Sequence, residues 1–275
     1  MVLSPTLAEA LLFQPSRGDP GPPPSLGGVR GEALWFRASD GVKIHGWWFH
    51  FSSSGSPGGQ EAPSPLDSPP AVLLLHGNAG DISHRTPLAE GLLREGLSVL
   101  LLEYRGYGAS EGRPGEEGFI LDAMAGMEFL EEKSGGAGRV AVFGRSMGGA
   151  VAVGLASRHP PGALILEAAF TSLEAMGRTL YPFLPGFLFR RLRGRFDTLE
   201  KMREVQAPVL VIHGTRDEIV PFSMGEALYA AAPEARAWYP VREAGHNDVF
   251  WVGGREYFQE LARFIRRSVQ DGSRD

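Results

Sequence analysis

Three residues, far apart in a chain of 275, have the types that acyl transfer requires. Ser146 stands in Gly144-Arg145-Ser146-Met147-Gly148, a Gly-x-Ser-x-Gly pattern. Asp217 follows His213-Gly214-Thr215-Arg216, and His246 stands in Ala244-Gly245-His246-Asn247-Asp248. A serine hydroxyl is a weak nucleophile until a base removes its proton. Imidazole takes that proton near neutrality and later returns it to the leaving group. A carboxylate behind the imidazole selects its tautomer and stabilises its cation. Ser146 is therefore the candidate nucleophile, His246 the base and Asp217 the acid. Negative charge developing on a carbonyl oxygen needs N–H donors. The Met147 N–H at a helix start offers one, and the Asn78 N–H after His76-Gly77 offers a second, with Ala79 as the alternative. The pattern around Ser146 also suits a tight turn whose serine only caps a helix, and 37 glycines make chance matches expected. A base and an acid following in order favour the catalytic reading. Glu167, Glu218 and Asp248 are the rival carboxylates, Glu167 foremost because it closes a strand.

These side chains need elements that present them on one edge. Val140-Ala141-Val142-Phe143 is apolar without alternation, which suits a strand covered on both faces. Similar runs at 71–75, 97–103, 139–143, 163–168 and 208–213 alternate with helical stretches after 81 to about 95, and at 116–132, 147–159, 223–231 and 251–269. A short strand is expected at 237–239. Such alternation predicts a mostly parallel sheet flanked by helices, with chemistry at the carboxyl ends of its strands. Ahead of it, 33–38 and 42–51 flank Ser39-Asp40-Gly41 and predict an antiparallel hairpin. The proline-rich run 15–24 reads as a connector without regular structure, and 52–70 as a surface loop. The organisation expected is an N-terminal extension over 1–32 and one domain over 33–275, in which 169–207 is too long for a simple connection.

A net charge of −5 and a pI near 5.8 give no reason to expect nucleic acid or an anionic membrane surface as partner. The absence of cysteine removes thiolate chemistry and disulfides. The apolar run from Leu7 to Phe13 is too short to span a bilayer and lacks a basic leader, so no membrane segment is expected and the cytoplasm is the default location. No metal and no cofactor are expected, because no histidine groups with carboxylates at ligand spacing. Of seven histidines, His45 and His50 are expected to be partly exposed strand residues. His84 and His159 are placed on helix surfaces or ends, His159 capping carbonyls, and His76 and His213 bracing loops.

His76-Gly77-Asn78-Ala79-Gly80, Glu103-Tyr104-Arg105-Gly106-Tyr107-Gly108, Gly144-Arg145-Ser146-Met147-Gly148-Gly149 and the stretch from His213 to Pro221 together resemble the motifs of the α/β-hydrolase superfamily, within it the Bem46-like branch. The likeness covers roughly 33–265. It implies the α/β-hydrolase fold and an esterase or thioesterase acting through Ser146, Asp217 and His246 on a small-molecule ester or thioester. Members of the branch often carry an N-terminal membrane segment, which this chain lacks in convincing form. The segment 169–207 is expected to form a lid whose Tyr181, Phe183 and Phe187 line an apolar substrate pocket. The alternative is an insertion that packs its aromatics on the main core. Arg190, Arg191, Arg193 and Arg195 read as a solvated face. The same three residues suit a thioesterase or serine peptidase, and a noncatalytic binding protein on this scaffold is the remaining reading. A haloalkane dehalogenase needs aspartate at the position of Ser146.

Overall fold

In the computed structural model, residues 13–51, 69–192, 194–233 and 236–271 are described. The expected apolar run at 7–12, most of the 52–70 loop, Arg193, and the side chains of Arg190 and Arg191 lie outside that set.

The unbroken apolar runs become strands buried on both faces. In chain order the strands are β1 (Gln14–Pro15), β2 (Ser25–Leu26), β3 (Val29–Arg37), β4 (Lys43–Phe49), β5 (Ala71–Leu75), β6 (Ala79–Gly80), β7 (Ser98–Leu102), β8 (Val140–Arg145), β9 (Ala163–Glu167), β10 (Val209–Gly214) and β11 (Arg236–Val241). Nine of them form one sheet in the order β11-β10-β9-β8-β5-β7-β4-β3-β2. From β7 to β11 the neighbours in this sheet are parallel, while β2, β3 and β4 add an antiparallel edge. The hairpin turns at Asp40-Gly41, with Arg37 opposite Lys43 and Gly41 at φ +85°.

The helices are α1 (Thr86–Arg94), α2 (Glu116–Ser134), α3 (Met147–Ala156), α4 (Leu173–Leu180), α5 (Thr198–Met202), α6 (Phe222–Ala231) and α7 (Val249–Asp271, kinked at Gly254). Side chains alternate along each buried strand, so Leu73 and Leu75 meet Phe119, Met127 and Val151 on one face. Val72 and Leu74 meet Leu92, Leu261 and Ile265 on the other. Both faces are thus covered. Among the described residues no helix is long and apolar enough to cross a membrane.

Several local expectations need correction. Residues 15–24 are not wholly irregular: β1 runs parallel to β6, pairing Gln14 with Ala79 and Pro15 with Gly80, and Arg17 bridges Gly108. Phe13 anchors this segment, buried edge-on against Phe119 and Phe196 with centroids 5.1 and 6.1 Å away. Neither proline nor glycine predicts such docking, because the partners come from distant parts of the chain. His45 is buried beside Trp35 and Trp47, because both faces of β4 are covered. His159 pairs with Glu131 instead of capping carbonyls.

The segment 169–207 comprises α4, a 3-10 turn at Gly186–Leu192, and α5. Its aromatics divide. Phe189 and Phe196 are buried, whereas Tyr181, Phe183 and Phe187 are exposed, Phe183 to 77%.

Candidate active site

The site begins at the bend between β8 and α3. Ser146 has φ 54° and ψ −118°, a strained backbone for a residue with a β-carbon. The surrounding chain holds it there. Its N–H donates to the Glu167 carbonyl at 2.8 Å, stitching the bend to the end of β9. Each flanking glycine is sterically required. A β-carbon on Gly144 would lie 2.3 Å from the Gly148 carbonyl oxygen, and one on Gly148 would lie 2.1 Å from the Leu75 carbonyl oxygen. Strand, bend and helix therefore pack backbone on backbone.

Two loops from neighbouring strand ends complete the constellation. Asp217 comes from the loop between β10 and α6, and His246 from the loop between β11 and α7. His246 Nδ1 lies 2.8 Å from Asp217 Oδ2, and Nε2 lies 3.1 Å from Ser146 Oγ. A carboxylate only accepts, so Nδ1 carries the ring proton and Nε2 presents its lone pair to the serine. Asp217 Oδ1 accepts N–H bonds from Ile219 and Val220 at 2.9 and 2.8 Å. Burial pushes the Asp217 carboxyl up. Hydrogen bonds from His213 and His246, the His246 charge and the Val220 N–H outweigh it and hold the carboxyl well below the usual range.

His213 is a second histidine on that acid. Its Nε2 donates to the Val220 carbonyl at 2.9 Å and lies 3.3 Å from Asp217 Oδ2. It braces a loop, as expected, and that loop is the one carrying the acid. Gly225 leaves room for the ring, since a β-carbon there would lie 2.4 Å from His213 Nδ1.

The rival carboxylates have other partners. Glu167 is fully buried, ion-paired with Arg145 at 2.9 Å and bonded by the Tyr257 hydroxyl. Glu218 accepts the His246 N–H at 3.3 Å, and Asp248 accepts the Gly245 N–H at 2.7 Å. Both shape the histidine loop. Arg145 is the residue that sequence reasoning passed over. Its guanidinium donates to the His246 carbonyl at 2.7 Å and to Asn247 Oδ1 at 3.3 Å, tying the bend to the loop that carries His246. Only its place inside the Gly-x-Ser-x-Gly pattern hinted at this.

Asn78 lies on the loop after β5, and a β-carbon on its neighbour Gly77 would sit 3.5 Å from Ser146 Cβ. Met147 opens α3, where the first N–H groups have no partner within the helix. Both candidate donors thus belong to backbone next to Ser146. Tyr181 and Phe183 pack edge-on, with centroids 6.3 Å apart, on the exposed part of the 169–207 segment. Among the described residues no group of three or more His, Asp or Glu is arranged to hold a metal ion.

A family profile described as "Serine aminopeptidase, S33" matches residues 68–196. An uncharacterized protein of Mycobacterium tuberculosis is 43% identical over 262 residues, covering 94% of this chain and 87% of that one. The alpha/beta hydrolase domain-containing protein WAV2 of Arabidopsis thaliana is 33% identical over 86% of this chain and 79% of its own length. Protein bem46 of Schizosaccharomyces pombe is 33% identical over 72% of this chain and 68% of its own. Among solved structures, the Pyrococcus furiosus esterase Pf2001 superposes with a TM-score of 0.68 at 23% identity, covering 90% of this chain and 99% of that one. A puromycin-hydrolyzing peptidase of Mycobacterium tuberculosis superposes with a TM-score of 0.69 at 20% identity over 90% of this chain and 40% of that one. At such identities the two structures speak for a shared fold.

Proposed function

Because the chain belongs to the α/β-hydrolase superfamily, in the branch of bem46 and WAV2, we propose that it is a serine hydrolase cleaving carboxylic esters of fairly apolar substrates through an acyl-enzyme on Ser146. The observation that carries this reading is the His246 ring spanning Ser146 Oγ at 3.1 Å and Asp217 Oδ2 at 2.8 Å. As Ser146 Oγ bonds to the substrate carbonyl carbon, its proton passes to His246 Nε2. The carbonyl electrons move to oxygen, and the N–H groups of Met147 and Asn78 receive the oxyanion. Collapse breaks the bond to the alcohol, which takes the proton from Nε2, and the acyl group stays on Ser146. Water then adds to the acyl carbon, its proton passing through Nε2, and the acid leaves as the serine hydroxyl is restored.

Tyr181, Phe183 and Phe187 are assigned to the acyl or alcohol chain, as part of a lid formed by 169–207. Their exposed apolar area supports this assignment. The test of the reaction is turnover of a panel of p-nitrophenyl esters together with fluorophosphonate labelling. Hydrolysis with one label on Ser146, both lost in Ser146→Ala, is the expected result. No turnover and no label sinks the reading.

A second reading moves the same chemistry to an amide or thioester. The serine aminopeptidase profile over 68–196 favours the amide. Rates on matched ester, thioester and aminoacyl amide substrates separate the three.

A further inference from the structure

Acyl transfer as written uses neither the buried side chain of His76 nor the motif Glu103-Tyr104-Arg105-Gly106-Tyr107-Gly108. The two meet at the loop after β5. We propose that His76, held by Glu103, is a positioning residue that aims the Asn78 N–H at the oxyanion, with Tyr104, Tyr107 and Arg85 fixing the rest of the loop. This inference rests on the oxyanion role given to Asn78 above.

Five consecutive carbonyls of that loop each have a donor. The Tyr104 hydroxyl donates to the His76 carbonyl at 3.1 Å, and His76 Nδ1 donates to the Gly77 carbonyl at 2.7 Å. The Tyr107 hydroxyl faces both the Asn78 carbonyl at 2.9 Å and Asn78 Oδ1 at 3.1 Å, with one proton for the two. The Arg85 guanidinium donates to the Ala79 carbonyl, and the Ser16 N–H to the Gly80 carbonyl at 3.2 Å. Apart from the two residues of β6, this stretch has no regular structure, and such a loop ordinarily has soft torsions. This one has none of its carbonyls free to swing.

The central bond matters most for chemistry. A peptide unit is planar and trans, so its C=O and N–H point in opposite directions from one rigid plate. The Gly77 carbonyl and the Asn78 N–H share such a plate. Whatever holds the Gly77 carbonyl therefore sets the direction of the Asn78 N–H. A carbonyl only accepts, so His76 Nδ1 carries a proton, and donating it also polarises the plate so that its N–H becomes a stronger donor.

The ring that makes this bond is itself locked. His76 Nε2 lies 3.5 Å from Glu103 Oε1, with both side chains fully buried. Neither atom has a hydrogen-bond partner among the described residues, so they face one another. With the Glu103 carboxylate against one edge and no free space around it, the buried ring has little room to turn. Tyr104 and Tyr107 flank the imidazole with centroids 4.5 and 5.3 Å away. Glu103 is seated by the Ile82 N–H on Oε2 at 3.4 Å. Its other neighbour explains a glycine: a β-carbon on Gly108 would lie 2.1 Å from Oε2.

The test uses the full chain, ester turnover, and inhibition by an aryl trifluoromethyl ketone, whose adduct with Ser146 carries the oxyanion. His76→Leu is expected to lose about 10²-fold in kcat with KM nearly unchanged, and to lose affinity for the ketone in proportion. His76→Asn places its amide nitrogen where Nδ1 stood, and is expected to recover most of both. Folded His76→Leu with wild-type kcat overturns the inference. So does a loss of kcat without a loss of ketone affinity, or His76→Asn no better than His76→Leu. If His76→Leu does not fold, Tyr107→Phe removes one loop bond and keeps the ring. A fall of about tenfold in kcat and ketone affinity at constant KM is then expected, and no change overturns the inference. A wild type that neither turns over esters nor takes the fluorophosphonate label defeats the hydrolase reading and this inference with it. An active wild type whose His76 and Tyr107 variants match it defeats this inference alone.

Discussion

At the scale of single residues, the behaviour of His246 depends on the charge of the group behind it. Asp217 is ionised and accepts from His246 Nδ1 at 2.8 Å, so the base faces the serine with a lone pair. Asparagine in that place offers an N–H toward Nδ1 and drives the proton to Nε2. Asp217→Asn is therefore expected to lower ester kcat on the order of 10⁴-fold while circular dichroism stays native. The same carboxylate affects acid stability. Its folded-state titration is held well below the usual range, whereas the unfolded group titrates at about 3.9. The stabilisation is present above about pH 4 and is lost as pH falls toward the folded-state value, so wild-type melting temperature should drop more steeply below pH 4 than that of Asp217→Asn. Equal slopes refute this. Ser146 carries strain of its own at φ 54°. Ser146→Gly is expected to melt above Ser146→Ala by about 1 kcal/mol of stability, the relief of strain outweighing the entropy of glycine in the unfolded chain. Both variants are expected to lack ester turnover.

At the scale of elements, the bend between β8 and α3 works because nothing separates the backbones. Gly148→Ala places a methyl 2.1 Å from the carbonyl oxygen of Leu75, the last residue of β5, and 2.7 Å from that of His76, the first residue of the Asn78 loop. Urea unfolding should show a loss of about 3 kcal/mol, and kcat of the folded fraction should fall because the Asn78 loop is pushed away. Unchanged stability with unchanged kcat contradicts this account. The bend is legible in the sequence, since two glycines around a serine after an apolar run have few other physical uses. β1 is not legible. Its pairing to Ala79-Gly80 and the burial of Phe13 depend on surfaces formed by residues 60 or more positions away, and a proline-rich run has no periodicity to betray them. His45 is misread for a related reason. Alternation gives its face, but only the partner strand and Trp35 decide that the face is covered.

At the scale of the whole molecule, Arg105 ties three regions together. Its guanidinium bonds both oxygens of Asp40 in the hairpin turn at 2.6 and 3.1 Å, and Asp122 Oδ1 in α2 at 2.8 and 2.9 Å. Arg105→Met leaves Asp122 fully buried without its cation, and is expected to cost about 3–5 kcal/mol in chemical denaturation. A loss under about 1 kcal/mol means that water or a neighbour compensates. The amino-acid sequence by itself determined the alternation of buried strands and helices, the order of Ser146, Asp217 and His246 along the chain, and the two glycines that let the serine bend form. These are set by residue type over short spans, where period and sterics act without knowledge of the rest of the chain. Tertiary structure alone decided that Asp217 and not Glu167 faces the imidazole, that Arg145 and His213 hold the loops carrying His246 and Asp217, and that the Tyr104-Tyr107 segment closes over the Asn78 loop. Apart from the local contact of His213 with the Asp217 loop, each of those outcomes is a contact between groups at different strand ends, and only the stacking order and twist of the sheet bring such ends together.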